Sequence, residues 1–270
     1  MTSPSSPPAV DHNALIGAFP FRRLPEPTPG RLIAEMDRFG IAQAWTGHVP
    51  SVWYRDAASG NDELLRLLEP HADRLLPVPV VNPAWPSWHR ELQRARDAGA
   101  PSVRAYPAHH GYAASGPAMR ELASACAELS LVLTLTARFE DGRQRSRLDV
   151  AGDLIGADVR CTLRANPDVQ VLVTCADRAL IEEVHFGSTA AESFRVRWDI
   201  SWIWSAPDDH LAHLKRTVGR ERFVFGSHFP FRLVENAVVK RELGPDALRA
   251  VRAGAEHYVE KSRRFAEEFG

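Results

Sequence analysis

From Val10 onward the chain alternates between short runs rich in Val, Ile, Leu and Thr and longer segments whose apolar residues recur every three or four positions. This alternation constrains the fold more than any other feature. Strands separated by helices pair in parallel through right-handed crossovers, and the helices must cover the apolar faces of the sheet. The strand candidates are Val10–Leu15, Ile41–Gly47, Leu75–Val81, Ser102–Tyr106, Leu131–Thr136, Val169–Thr174, Arg195–Ile200 and Arg222–Gly226. Helical periodicity falls between them. It runs over Arg31–Phe39, through Leu64, Leu65, Leu67 and Leu68 behind Asn61 as a cap, from Ser87 to Gly99, and over Met119–Leu129, Asp158–Ala165, Arg178–Glu183, His210–Val218 and Asp246–Phe269.

Eight such repeats in 270 residues point to an α/β fold, a single (β/α)₈ TIM-like barrel of parallel strands with outer helices, which typically takes about 250 residues. No GxGxxG or GxxxxGK[ST] phosphate loop follows any strand, which speaks against an open nucleotide-binding sheet. Residues 1–8 are Ser and Pro with little to bury and are expected to form a disordered tail. Residues 9–270 show no composition break and read as one barrel domain.

Lys plus Arg number 33 and Asp plus Glu 34, so no broad field draws nucleic acid or an anionic membrane, and a small molecule is the expected partner. No apolar run reaches the roughly 18 residues of a membrane span, and the opening MTSPSSPP lacks the basic and apolar segments of a secretion signal. A cytoplasmic location is the resulting expectation. Cys126, Cys161 and Cys175 are too few and too scattered for a disulfide framework or a CxxC clip and read as reduced core thiols. A homodimer would be ordinary for this architecture.

Active sites of such barrels form at the carboxyl ends of the strands. The polar residues leaving the strands are Asn13, His48, Asn82, Arg104 with Tyr106, Arg138 with Glu140 and Asp141, Thr174 with Asp177, Asp199 with Ser201, and His228. Four segments, VRAYPAHHGY (103–112), LTARFEDGRQ (135–144), VRWDIS (196–201) and RFVFGSHFPF (222–231), resemble in motif, order and spacing the amidohydrolase-related family of barrel hydrolases and decarboxylases. The resemblance implies a site at the strand ends acting on C–N, lactone or C–C bonds of small carboxylated or cyclic compounds. It also implies, for many members, one divalent metal held by His-x-His after the first strand, a His after a middle strand and an Asp after the last. This chain departs from that pattern at each place: it has Asn13-Ala14-Leu15, Thr174-Cys175, and Gly226-Ser227-His228-Phe229-Pro230. The family includes a lactonase that works without metal, so the departures are compatible with activity.

The side chains then divide into roles. His228 is the expected proton acceptor, oriented by Asp199, and Arg138 is expected to stabilise a developing oxyanion. Arg104, Tyr106, His110, Asn13 and Glu140 form the expected substrate-binding set, with Trp45, Trp202 and Trp204 as platforms for a flat ligand. The expected reaction is metal-independent hydrolysis of a small lactone or amide, with no cofactor. The rivals are a metal-dependent hydrolase or decarboxylase, with zinc on an improvised set of His48, His110, His228 and Asp199, and an inactive ligand-binding barrel. Plainer readings stand beside these: Arg104 and Arg138 as neutralisers of nearby carboxylates, His48 as a structural group, Asn13 and Asn82 as loop ties, and Arg143, Arg145 and Arg147 as a solvated run.

Overall fold

The computed structural model describes residues 9–204 and 209–242. The strands are β1 (Ala9–Ile16), β2 (Ile41–His48), β3 (Leu75–Pro77), β4 (Ser102–Ala105), β5 (Val132–Thr136), β6 (Val171–Thr174), β7 (Val196–Asp199) and β8 (Phe223–Val224). The helices are α1 (Pro29–Arg38), α2 (Ala58–Leu68), α3 (Trp88–Asp97), α4 (Pro107–His110), α5 (Pro117–Glu128), α6 (Gly156–Ala165), α7 (Arg178–Phe186), α8 (Ala190–Phe194), α9 (His210–Leu214) and α10 (Val234–Glu242). Every strand pair is parallel, in the orders β1-β2-β3 and β4-β5-β6-β7-β8.

Two sets of backbone hydrogen bonds join these sheets into one ring. On one side Arg104 N donates to Pro79 O (2.8 Å) and Val81 N to Arg104 O (3.0 Å). On the other His12 N donates to Phe225 O (2.9 Å), His228 N to Asn13 O (2.8 Å) and Leu15 N to Phe229 O (2.9 Å). The strand expected over Leu75–Val81 stops at Pro77 because Pro77 and Pro79 have no N–H to give to a ladder, leaving Val78 N on Thr46 O (2.9 Å) and an isolated bridge from Val80 to Arg104.

Asn61 stands inside α2 as its fourth residue, buried, and is not the cap the sequence suggests. Its amide closes the gap left by the prolines. Asn61 Oδ1 accepts from Val80 N and Nδ2 donates to Val80 O, each at 2.9 Å, as a neighbouring strand would, and Nδ2 also reaches Glu91 Oε2 on α3 at 2.9 Å. The helical pattern expected over His210–Val218 narrows to α9 followed by a wider turn over Lys215–Gly219, and α4, α8 and α10 are additions the periodicity does not reveal. The tail over 1–8 and the pattern over Asp246–Phe269 lie outside the described residues.

Alternation along the strands sorts side chains to two faces. Val103, Ala105, Leu133, Leu135, Val171, Val173, Val196 and Trp198 face outward and pack with Met36, Leu64, Leu92, Leu122, Leu163 and Ile181 from the helices. The lumen is polar. Ser102 bonds Thr134 (2.6 Å), Thr174 bonds Thr136 (3.1 Å), and Arg104 and Asp199 point between them from β4 and β7. A second apolar cluster, built on Phe19, Val49, Val52, Tyr106 and Phe139, covers the carboxyl-terminal mouth.

Asn61→Ala would leave Val80 N, Val80 O and Glu91 Oε2 without the partner they have in the interior. Urea unfolding should show a loss of about 2–3 kcal/mol, whereas a loss under about 0.5 kcal/mol would mean the amide is not the tie between α2 and β3.

Candidate active site

The centre of the mouth is a chain of buried hydrogen bonds across the lumen. An extra residue in β1 between Asp11 and Ala14, where His12 and Asn13 together face the single residue Trp45 of β2, turns Asn13 inward. Asn13 Nδ2 donates to Asp199 Oδ2 (2.7 Å) and Asn13 Oδ1 accepts from Arg104 Nη2 (3.1 Å), so the amide links the carboxylate of β7 to the guanidinium of β4. Asp199 also accepts from Ser201 Oγ (2.7 Å) and Cys175 N (2.8 Å). Asp11 Oδ1 accepts from Asn13 N and Ser227 N, both at 3.0 Å. Burial pushes the Asp11 and Asp199 carboxyls above the ordinary carboxylate range, against the pull of these hydrogen bonds and of Arg104. A Cβ at Gly226 would stand 2.7 Å from Asp199 Oδ2, so glycine is required there.

The Asp199–His228 pair expected from the sequence does not form, because Asp199 is fully engaged elsewhere. His228 instead accepts from the Trp202 indole N–H at Nδ1 (3.2 Å) and stacks on Phe231 at 4.9 Å between ring centres. With Nδ1 taken as acceptor, a neutral ring carries its proton on Nε2 and offers a donor, not a lone pair. Burial, with Arg232, Arg104 and Arg22 nearby, holds His228 well below the ordinary histidine value, so it is neutral at pH 7. In this geometry His228 presents a proton donor at Nε2 where the sequence led to the expectation of an acceptor. His228 and Cys175 both leave their strands at positive φ (57° and 59°), strained backbone of the kind that gathers at functional sites. Burial pushes the Cys175 thiol up to about 12, which leaves it a poor nucleophile.

Other assignments change for similar reasons. Arg138 pairs with Asp177 (2.9 Å) and Asp153 (3.3 Å) at the rim and is not available to an oxyanion. Glu140 is held by Arg22 (2.8 Å). Asn13 has both ends of its amide occupied and is a bridge within the protein. Trp45 packs on His12 (4.7 Å) away from the mouth, Arg143 folds onto Asp141, and Arg145 pairs with Asp153. His48 bonds Ser51 Oγ (2.8 Å), the structural role, and Asn82 ties Arg55 O (2.8 Å). Arg104, Tyr106 and His110 keep unpartnered buried atoms: Arg104 Nε and Nη1, Tyr106 Oη and both ring nitrogens of His110.

Above His228 lies an open cavity of ≈ 240 Å³, lined among others by Arg22, Arg143, Trp202, Trp204, Phe231 and Arg232. Arg22 and Arg143 each have a carboxylate partner, whereas the Arg232 guanidinium lies over the Trp202 ring at 4.3 Å and has no acidic partner among the described residues. Arg232, four residues past His228, carried no motif that marked it in the sequence.

No protein-family model and no curated protein sequence matches the chain. Solved structures do. A 2,6-dihydroxybenzoate decarboxylase from Rhizobium superposes with a TM-score of 0.65 at 13% identity over 89% of this chain and 94% of that one. A protein from Pseudomonas putida assigned as a 2-pyrone-4,6-dicarboxylic acid hydrolase gives 0.62 at 17% over 89% and 92%. A TIM-barrel protein from Bordetella bronchiseptica gives 0.64 at 14% over 93% and 98%. The chain folds as a TIM barrel.

In this barrel the residues at the metal positions of the resembled family do not fit an ion. Leu15 packs into the apolar mouth cluster, Asn13 is spent on Asp199 and Arg104, and Cys175 keeps its proton. No group of three His, Cys, Asp or Glu side chains among the described residues is arranged to hold one. The improvised set of His48, His110, His228 and Asp199 is not brought together. No described helix is long and apolar enough to cross a membrane.

The buried histidines give the barrel a pH signature. Burial lowers His110 to about 4, so between pH 4 and 6.5 the unfolded chain binds the proton and the folded chain does not. Stability from this group is complete above pH 6.5 and is lost as the pH falls, at up to about 1.4 kcal/mol per unit. Urea midpoints of His110→Phe and the parent should diverge with that slope, and parallel curves would mean His110 titrates normally in the fold.

Proposed function

We propose that this TIM barrel is an enzyme of the amidohydrolase superfamily that hydrolyses a small carboxylated or cyclic compound, a lactone or an amide, without a resident metal. The observation that carries the reading is a set of donors lacking acceptors: Arg104 Nε and Nη1, Tyr106 Oη and His228 Nε2, all buried at the mouth. An unmet buried donor costs about 1–3 kcal/mol, so the site is built for a ligand rich in acceptor oxygens. Arg232 adds a cation with no carboxylate partner among the described residues, and Trp202, Trp204 and Phe231 supply flat apolar walls. The substrates named for the Rhizobium and Pseudomonas barrels, a dihydroxybenzoate and a pyrone dicarboxylate, are compounds of this chemistry.

In this reading Arg232 receives the substrate carboxylate at the cavity wall. His228 Nε2–H, fixed by Trp202, donates to the carbonyl oxygen as it gains charge. Arg104, anchored through Asn13 to Asp199, supplies the positive potential beneath it. The aromatic cover over the polar cluster favours the rival reading of a barrel that binds and does not convert, and the two separate in one experiment.

Full-length protein treated with chelator is offered 2-pyrone-4,6-dicarboxylate and 2,6-dihydroxybenzoate, followed by ultraviolet absorbance and by thermal protection. Hydrolysis of the lactone, with KM raised about 10- to 100-fold in Arg232→Met, supports the proposal. Protection without turnover supports a binding barrel. Carbon dioxide release, or activity restored only by added zinc or manganese, overturns the proposal.

A further inference from the structure

Two cavities meet at Arg232. One is the cavity of ≈ 240 Å³ above His228, and the other, on the α10 side of the same residue, measures ≈ 270 Å³ and is lined by Trp202, Trp204, Arg232, Asn236, Val239 and Lys240 among others. Trp202, Trp204 and Arg232 line both. Ligand pockets usually begin at about 300 Å³, so neither cavity reaches that size alone, whereas the two together do.

The wall they share is fixed at its buried end and low at its outer end. The Trp202 ring is pinned by its N–H on His228 Nδ1 (3.2 Å) and carries the Arg232 guanidinium on its face at 4.3 Å. Trp204, the outer part of that wall, is 58% exposed, so the cavities adjoin in the open along one indole ring. A flat ligand lying across that ring enters both.

The α10 cavity has cations and no acid. No Asp or Glu among the described residues lines it, and Arg232 has no carboxylate partner among them. Lys240 is buried and donates to Ile200 O (3.1 Å) and Ser201 O (2.9 Å), two neutral acceptors, out of the three protons an ammonium carries. The carboxylate whose field reaches both cations is Asp199, already engaged by Asn13, Ser201 and Cys175 N. Burial first and the Arg232 charge second bring Lys240 down to about 8, and the same Arg232 charge acts on His228 in the other cavity. Arg232 thus stands electrically between the two cavities, and an anion beside it relieves the repulsion from Lys240.

Resting on the reading of this mouth as a substrate site, we infer that the α10 cavity is a second substrate lobe that receives an acidic group, and that the substrate is an elongated flat compound with acidic oxygens at both ends. One end lies above His228 and meets its Nε2–H. The flat body crosses the ring of Trp204, and the far end sits in the α10 cavity against Arg232, in the field of Lys240. Asn236, exposed on α10, brings an amide to the same lobe. Arg232 then selects for length as well as charge, because it is the one cation that lines both lobes with no acidic partner among the described residues.

Binding decides this without turnover. Titration calorimetry of the full-length protein at pH 7 compares biphenyl-4,4′-dicarboxylate with biphenyl-4-carboxylate, which keeps the flat body and lacks the second acid. The dicarboxylate should bind at least about 10-fold more tightly, the return expected from one charge-assisted contact. Asn236→Trp fills the α10 cavity from an exposed position, where substitution leaves the core intact, and should cut that preference below about 3-fold. Equal affinity of the two compounds for the parent, no binding of either, or a preference that survives Asn236→Trp overturns the second lobe. The hydrolase reading stands or falls separately. A parent that hydrolyses 2-pyrone-4,6-dicarboxylate and shows no preference between the biphenyl acids keeps that reading and loses the lobe, whereas one that shows the preference and hydrolyses nothing keeps the lobe and loses the hydrolase.

Discussion

The bridge Arg104–Asn13–Asp199 is the interaction on which the mouth of this barrel depends. It joins β4, β1 and β7 across the lumen through two hydrogen bonds of 3.1 and 2.7 Å, with all three residues at 1% exposure or less. A buried guanidinium or carboxylate alone would be expensive, and attraction inside a protein offsets that desolvation only where geometry and remaining hydrogen bonds are good. Asn13 makes this possible at a distance, since its amide donates to one charge and accepts from the other. Asp199, also held by Ser201 and Cys175 N, then fixes where β6, β7 and the Gly226 turn meet.

From this anchor the rest of the mouth follows. Asp199 is saturated, so it cannot orient His228, and the Trp202 indole takes that task. Lys240, on α10, donates to Ile200 O and Ser201 O (3.1 and 2.9 Å) and so steadies the turn that presents Trp202. Because Arg104 spends only one nitrogen on the bridge, Nε and Nη1 keep their donors without an acceptor among the described residues. The aromatic cluster of Phe19, Trp53, Phe139 and Phe231 then excludes water from these donors, which strengthens any electrostatic contact made beneath it.

Much of the architecture was legible because it rests on local periodicity. The strand starts and ends fall within a few residues of their expected places except at β3, where two prolines interrupt a ladder that the apolar run seemed to continue. Asn61 departs from its sequence pattern for a physical reason: an Asn before a Leu-rich run has the appearance of a helix cap, and only the interrupted ladder beside Val80 reveals what its amide does. In the site, residue types were readable and pairings were not. Arg138 and Glu140 were expected to face a substrate, but Asp153, Asp177 and Arg22, brought in from other loops, claim them.

The sequence by itself determined the alternating parallel architecture and the polar residue at each strand end, because these depend on spacing along the chain and on side-chain chemistry. Tertiary structure alone decided which nitrogen of His228 carries a proton, which arginine lacks a carboxylate among the described residues, and that Lys240 lies against Ile200 O, forty positions earlier. Those outcomes depend on distances of about 3 Å between residues far apart in the chain, and such distances are set only once the ring of strands closes.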